Sequence, residues 1–262
     1  DAHLYAAFDC LMLQRPGAEA EHRPEAMARA RTWHDKASES DKATLLANIM
    51  AGLPGAFDRY DLPGLRRMLD RYRGVDAQAL RANLARFLKE VTPTAEECGM
   101  RMCIHPDDPP RPLLGLPRIV SNAEDLDFIV NAAPSPANGV TLCSGSLGAG
   151  PDNDVPDIAR RFAPHVHFAH LRNVRKESDG SFYEADHLGG DTDMVAVIDA
   201  LLTEDARRQR DGRPPIPFRP DHGHALLSDQ GRPTHPGYPL IGRLRGLAEL
   251  RGVMTALNRK AA

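Results

Sequence analysis

Four residues that can bind a metal ion follow short apolar runs after residue 99. They are His105, Cys143, His170 and Asp221, and each is followed within three residues by Pro, Gly, Ser or Asn. Those residue types favour turns, so each of the four side chains is predicted to stand at the end of a strand. Two imidazoles, a thiolate and a carboxylate form a mixed nitrogen, sulfur and oxygen ligand set for one divalent metal.

Each of these residues taken alone also has an ordinary structural explanation. A single histidine at a strand end is usually a surface or hydrogen-bonded residue, and a single cysteine in an apolar run is usually a small core residue. Cys10, Cys98 and Cys103 fit the core explanation. The repetition of one pattern at four strand ends favours the metal site. Zinc would accept the same atoms, although Mn²⁺ and Fe²⁺ suit a site with open positions better.

Two further residues are candidates for acid–base catalysis. His222 directly follows one of the predicted ligands, and Tyr238 lies in the segment His-Pro-Gly-Tyr-Pro. Both residue types can exchange a proton with a substrate. A structural hydrogen bond is the alternative for His222, and a loop anchor is the alternative for Tyr238.

Other polar residues near the same strand ends are candidates for substrate binding or for support. Arg172 could hold a carboxylate with two hydrogen bonds, or it could be a surface charge. Asn173 and His187 are predicted substrate contacts. Asp107 and Asp108 could orient the neighbouring histidine ligand, or they could cap the segment that follows.

The elements that must position these residues alternate after residue 99. Strands are predicted over 100–105, 139–143, 165–170, 181–186 and 216–220, and helices over 122–132, 154–162, 191–210 and 240–258. This alternation predicts an α/β fold with right-handed βαβ units and a parallel sheet. Because the carboxyl ends of parallel strands open on one face, the candidate residues should meet there.

The first hundred residues are predicted to be helical. Ser40 is a candidate cap for a helix that stops near Gly52, and 53–63 is a Gly/Pro-rich connection. Asp76 is a candidate cap for a second helix, whose apolar residues recur at 3.6-residue spacing. Pro93 is predicted to kink or end that second helix.

Composition excludes several classes of protein. The formal net charge is −3, from 33 basic and 36 acidic residues, which argues against a nucleic-acid partner. The sequence contains no apolar run long enough for a transmembrane helix. The four cysteines form no C-x-x-C pair, so reduced thiols in a cytoplasmic protein are predicted. The chain starts at Asp1 without a methionine or a leader, so we expect a trimmed or partial chain.

Six motifs follow one another in the second part of the sequence: HPDDPPRPLLGLPRIVS, NGVTLCSGSLGAG, HFAHLRNV, FYEADHLGGDTDM, PFRPDHGH and PGYPLIGRLRG. Taken together, they resemble the mannonate dehydratase family of hexuronate (glucuronate) catabolism. The resemblance implies a (β/α)₈ TIM barrel and dehydration of D-mannonate to 2-dehydro-3-deoxy-D-gluconate with Mn²⁺ or Fe²⁺. It places the family's metal ligands on the four residues named first, and its catalytic histidine and tyrosine on His222 and Tyr238. A small sugar acid is the implied partner, and a homo-oligomer is compatible with it.

The resemblance also predicts the organisation of the chain. Residues 1–262 would be a single partial barrel domain, with a helical insertion over 1–98 and the active-site βα units over 99–262. About five of the eight barrel strands would be present, because the family carries roughly three βα units ahead of this point. Two alternatives to a dehydratase stay open: another metal-dependent barrel enzyme, such as a sugar isomerase or epimerase, and an inactive metal-binding fragment. A structural zinc site is a third.

Overall fold

The computed structural model describes residues 1–50 and 61–260. The helices are α1 (Ala2–Ala6), α2 (Pro24–Lys36), α3 (Glu39–Met50), α4 (Leu62–Arg71), α5 (Ala77–Glu97), α6 (Ala123–Ala132), α7 (Ser144–Gly148), α8 (Val155–Phe162), α9 (Met194–Arg210) and α10 (Leu240–Lys260). The strands are β1 (Val140–Cys143), β2 (Val166–His170), β3 (Asn173–Lys176), β4 (Phe182–Ala185) and β5 (Phe218–Arg219). A π-helical turn, Ala7–Met12, continues α1. None of the described helices is long and apolar enough to cross a membrane.

The predicted parallel sheet is present, but it is smaller than expected. Strands β1, β2 and β5 pair in that order, and both pairs are parallel. The strand predicted over 100–105 is reduced to a single bridge between Ile104 and Val140. The strand predicted over 216–220 contains two paired residues. The α/β class therefore holds, whereas five strands in one parallel sheet are not confirmed.

The strand predicted over 181–186 exists but does not join the parallel sheet. It is β4, which pairs antiparallel with β3 in a separate two-stranded sheet. The physical reason is the short connection between the two strands, residues 177–181, which a backbone hydrogen bond from Glu177 to the Ser181 carbonyl closes. A parallel neighbour needs a crossover of a dozen residues or more, and a five-residue turn permits only a hairpin.

Side-chain caps explain the accuracy of three helix predictions. Asn122, Asp154 and Asp193 each accept a hydrogen bond from the backbone N–H three residues ahead, at the starts of α6, α8 and α9. These bonds satisfy amide groups that have no partner within the helix. The observed starts of α6 and α8 lie one residue, and that of α9 three residues, after the predicted ones.

Two helix predictions in the first hundred residues need correction. Ser38, not Ser40, caps α3, because Ser38 Oγ accepts from the Asp41 amide while the Asp41 carboxylate accepts from the Ser38 amide. The predicted stop near Gly52 and residues 53–60 of the predicted connection lie outside the described residues. Pro93 does not end α5, which continues to Glu97, and the kink that was the other predicted outcome stays a prediction. Burial of Leu88 and Ala95 on either side of the proline offsets the lost backbone hydrogen bond.

The described residues form two compact units. One comprises Asp1–Asp76, Pro112–Pro117 and Glu177–Ser181, and the other Ala77–Arg111, Arg118–Lys176 and Phe182–Ala262. Helix α5 therefore belongs to the second unit, although it lies ahead of residue 99. The single-domain assignment stays a prediction.

The first unit is helical and contains a buried ion cluster. Asp9 is fully buried. Its carboxylate accepts two hydrogen bonds from Arg15, both at 2.8 Å, and lies 2.9 Å from His22 Nε2. Arg15 also binds Glu21, so the cluster joins successive turns of this unit.

The second unit holds the parallel sheet and the main apolar core. Helices α8 and α9 pack against the sheet, and the core is formed by residues from both layers. Its fully buried members include Leu142, Val166, Ala169, Ile198 and Leu250. All residues of the predicted site also belong to this unit.

Candidate metal centre and its surroundings

The carboxyl ends of the parallel strands deliver the predicted ligands to one edge of the sheet. Cys143 ends β1 and His170 ends β2, and the two residues are register partners. His105 follows the bridge residue Ile104, and Asp221 follows β5 by two residues. Cys143 and His170 therefore stand at strand ends, whereas His105 follows a single bridge and Asp221 a two-residue strand.

Three of the four predicted ligands form one compact cluster. Donor atoms of His105, Cys143 and His170 all lie within 4.8 Å of one another. Asp221 Oδ2 lies 3.6 Å from His170 Nδ1, so the fourth side chain adjoins the cluster. His105 Nε2 lies 3.1 Å from His170 Nδ1. That separation suits two nitrogens bound to one ion at roughly 2.0–2.1 Å each, so the residues fit a divalent metal.

The environment of His105 and Cys143 orients them as ligands. His105 Nδ1 donates to the Pro106 carbonyl at 2.6 Å, which leaves Nε2 with its lone pair toward the cluster. The Cys143 sulfur accepts from the amide of Ser146 at 3.4 Å and from its hydroxyl at 3.1 Å. Burial raises the pKa of the Cys143 thiol to about 11. A metal that binds there must therefore displace the thiol proton.

The pKa values of the other two candidate ligands, His170 and Asp221, are both lowered. Burial lowers the pKa of His170 to about 4, so its imidazole is neutral at pH 7, as ligation requires. Burial alone would raise the pKa of Asp221, but the neighbouring basic groups outweigh it and lower that pKa. Asp221 also has a left-handed backbone, with φ at +66°. Such a conformation is uncommon outside glycine, and here it occurs at the site itself.

His222 and Tyr238, the two predicted acid–base residues, are in direct contact. His222 Nε2 and the Tyr238 hydroxyl lie 2.9 Å apart, and the two rings meet edge to face. Burial raises the pKa of Tyr238 above its ordinary value, so the phenol keeps its proton at neutral pH. His222 Nε2 also lies 3.9 Å from Asp221 Oδ2. The pair therefore lies beside the cluster of candidate metal ligands.

Comparison with known proteins agrees with this geometry. The sequence model of the D-mannonate dehydratase (UxuA) family matches residues 18–262. The mannonate dehydratase of Chromohalobacter salexigens is 53% identical over 100% of this chain and 67% of its own length. That of Rhizobium meliloti is 52% identical over 97% of this chain and 64% of its own length.

A solved structure, that of mannonate dehydratase from Streptococcus suis serotype 2, is 37% identical with a TM-score of 0.67. The match covers 74% of this chain and 54% of that one. The chain belongs to the mannonate dehydratase family. It spans about two thirds of the length of the curated relatives that it matches.

In this member of the family, Arg172 is already engaged by two acidic side chains. Its guanidinium forms ion pairs with Asp108 and, at 2.9 Å, with Glu184. The side chain is only 4% exposed. Burial opposes its charge, but the two carboxylates raise the pKa of Arg172 above the ordinary value. Its Nε atom has no hydrogen-bond partner among the described residues. Arg172 as a carboxylate clamp for substrate therefore stays a prediction.

Asn173 and His187 are buried and bound to the backbone. Asn173 Nδ2 donates to the carbonyls of His187 and Thr192, while its Oδ1 accepts from the Val174 and Thr192 amides. His187 Nε2 donates to the Pro220 carbonyl at 2.9 Å. These bonds tie both side chains to backbone groups, and His187 contacts the residue directly ahead of Asp221. Their contact with a substrate stays a prediction.

Sequence reasoning missed Glu184 and Ser146 and misplaced Asp108. Glu184 contacts both Arg172 and His222. Asp108 binds Arg172 instead of orienting the histidine ligand, while Asp107 accepts from two backbone amides ahead of α6. A charged residue in a short strand was the one signal for Glu184, and the partner of that strand was not predicted.

Proposed function

We propose that this chain carries the active site of a metal-dependent mannonate dehydratase, which converts D-mannonate to 2-dehydro-3-deoxy-D-gluconate in hexuronate catabolism. One observation carries the proposal: the His105, Cys143 and His170 cluster adjoins a paired His222 and Tyr238 at the carboxyl edge of a parallel sheet. Ligand atoms beside an acid–base pair are what a metal-assisted elimination of water requires.

The proposed metal is Mn²⁺ or Fe²⁺, held by His105, Cys143, His170 and Asp221. Both ions accept nitrogen, sulfur and oxygen donors and leave positions free for a substrate. When bound, such an ion supplies positive charge that stabilises the negative charge developing on the substrate. Family membership and the donor set support the presence of a divalent metal.

Two proton transfers are needed, and we assign one to His222 and the other to Tyr238. Mannonate must lose the proton on C2 and the hydroxyl on C3. We assign the first transfer to His222, whose ring is held beside the cluster, and the second to Tyr238, which keeps its proton because it is buried. The electron pair of the C2–H bond becomes the C2–C3 double bond, and the hydroxyl leaves as water. The resulting enol tautomerises to the 2-keto-3-deoxy acid.

We further propose that β1, β2 and β5 are neighbouring strands of a (β/α)₈ barrel. The parallel pairing, the outer helices α8 and α9, and a site at the carboxyl ends of the strands support this. Cytoplasmic location and a homo-oligomeric state stay predictions.

The proposal is tested by product analysis. The chain is purified without oxygen, loaded with Mn²⁺ or Fe²⁺, and assayed on D-mannonate for the 2-keto-3-deoxy acid. We expect product only with metal and none from Cys143→Ser. Aldoses serve as control substrates, since their isomerisation would replace the dehydratase proposal with a sugar isomerase. Metal-loaded protein that acts on neither substrate would contradict both.

A further inference from the structure

We infer that Glu184 is a positioning residue, which holds His222 with its Nε2 atom unprotonated and accepting the hydrogen bond from Tyr238. The inference rests on the proposed function, because it assigns how the acid–base pair of that site is oriented. It concerns a side chain that lies within one of the quoted motifs but to which the sequence analysis assigned no role.

The contacts of His222 determine the orientation. His222 Nδ1 lies 2.8 Å from Glu184 Oε1, and Nε2 lies 2.9 Å from the Tyr238 hydroxyl. An ionised carboxylate has no proton to donate, so Nδ1 must carry the hydrogen in the first contact. In a neutral imidazole Nε2 is then the acceptor, and the Tyr238 O–H donates to it. The carboxylate thus selects one of the two tautomers.

Arg172 holds the carboxylate in place. Its Nη2 lies 2.9 Å from the same Glu184 oxygen that faces His222. Asp108 holds the other end of the guanidinium. Gly145 packs against the Arg172 side chain so closely that an added Cβ would clash with it. Arg172 is therefore held by Asp108 and packed against Gly145, with its guanidinium in contact with Glu184.

The hairpin explains how these residues come together. Val174 and Glu184 are register partners in the antiparallel pair of β3 and β4. Arg172 directly precedes β3, and β3 follows β2 after two residues. The hairpin is thus anchored at the carboxyl end of the strand that bears His170. The hairpin therefore brings Glu184 back into contact with Arg172, which lies 12 residues earlier in the chain.

The test compares Glu184→Gln with Glu184→Leu. The glutamine amide oxygen can still accept from His222 and Arg172, whereas leucine has no acceptor. Asp186→Asn is the matched control, because Asp186 follows β4 and its side chain is 58% exposed. We measure kcat and KM on D-mannonate, bound metal, and the histidine tautomers of metal-free protein by ¹⁵N NMR. Loss of signals in His222→Gln assigns the His222 resonances.

We expect Glu184→Leu to lose the Nδ1-protonated tautomer and to lower kcat by roughly 10- to 100-fold, with a smaller change in KM. Glu184→Gln should keep the tautomer and fall between Glu184→Leu and the wild type, and Asp186→Asn should match the wild type. Unchanged tautomer or kcat in Glu184→Leu would overturn the inference. So would equal losses of kcat and bound metal in both variants, which indicate a structural role.

The failure of the proposed function gives a different pattern. Wild-type protein would then form no product, while the NMR comparison of Glu184→Leu with the wild type would still decide the orientation of His222. Active wild-type protein with an unaltered Glu184→Leu variant would refute the inference about Glu184 alone.

Discussion

The two ends of β2 contain buried polar groups that are used in opposite ways. At the amino end, Arg208 donates to the Val166 carbonyl at 2.9 Å and to Glu204 at 2.8 Å. His167, near that end, donates from Nδ1 to the Met102 carbonyl. At the carboxyl end, His170 has the donor atoms of other candidate ligands as its neighbours.

The two ends of β2 differ in whether their buried polar groups have fixed hydrogen-bond and ion-pair partners. Arg208 is fully buried, and its partners tie α9 to the sheet and to the turn that follows α8. Buried charge with fixed partners contributes to holding one packing arrangement. At the carboxyl end, nitrogen, sulfur and oxygen atoms that can act as metal ligands lie close together, and this arrangement favours the binding of a cation. Substitutions at the carboxyl end of β2 should therefore lower activity, and substitutions at the amino end should lower stability.

The largest expected effect is on activity at the carboxyl end. His222→Asn should lower kcat on D-mannonate by about 10²–10⁴-fold, because the general base is removed. Bound metal, measured by elemental analysis, should stay at the wild-type level. Loss of metal with activity would show that His222 supports the ligands, and the separation of proton transfer from ligation would then fail.

The next effect is on stability at the amino end. Arg208→Met should lower the free energy of unfolding by about 1–3 kcal/mol, because Glu204 would keep Arg207 but lose Arg208, and the buried Val166 carbonyl would lose a donor. Denaturant titration of the metal-free protein measures the change. Arg160→Met is the matched control, since the Arg160 side chain is 56% exposed, and it should change stability little. A small loss in Arg208→Met would contradict the structural role of the amino end.

A weaker effect is expected from pH. Burial would raise the pKa of Glu204, but hydrogen bonds from Arg207 and Arg208 outweigh burial and lower that pKa below 4.5. A lowered folded-state pKa means that Glu204 stabilises the fold above pH 4.5 and that this contribution is lost as the pH falls through the folded-state value. The stability difference between wild type and Glu204→Gln should therefore shrink in acid.

The control for the pH experiment is Glu97→Gln, at an exposed position at the end of α5. Its difference from the wild type should be small across the same pH range. A Glu204→Gln difference that stays constant between neutral and acidic pH would refute the direction of the pKa shift.

The smallest effect is expected at the start of α9. Asp193→Ala removes the side chain that accepts from the Ala196 amide, and it should cost about 1 kcal/mol of stability. Asp199→Ala, at an exposed position inside the same helix, should be nearly neutral. Thermal unfolding of the two variants measures the difference. Equal stability would show that the cap is not needed once the helix is packed.

Local patterns predicted the residues of the site better than the elements around them. The helix starts at Asn122, Asp154 and Asp193 follow from capping chemistry, which involves residues only three apart. The four candidate ligands were predicted because each follows its own apolar run. These are short-range signals, and a sequence displays them directly.

The remaining features depend on contacts between distant residues. Pairing of β3 with β4, and hence the return of Glu184 to Arg172, is set by tertiary packing that no local pattern displays. The persistence of α5 through Pro93 likewise depends on the burial of its apolar face. Asn173 and His187 have the residue types of substrate contacts. Only the structure shows that their side chains form hydrogen bonds with backbone groups.

The central claim is that the carboxyl end of this sheet holds one divalent metal with a thiolate ligand. X-ray absorption of the Fe²⁺-loaded protein tests it most directly, because the method distinguishes sulfur from nitrogen and oxygen neighbours. We predict one sulfur neighbour per metal in the wild type and none in Cys143→Ser. A metal shell without sulfur in the wild type, or sulfur retained in Cys143→Ser, would contradict the claim.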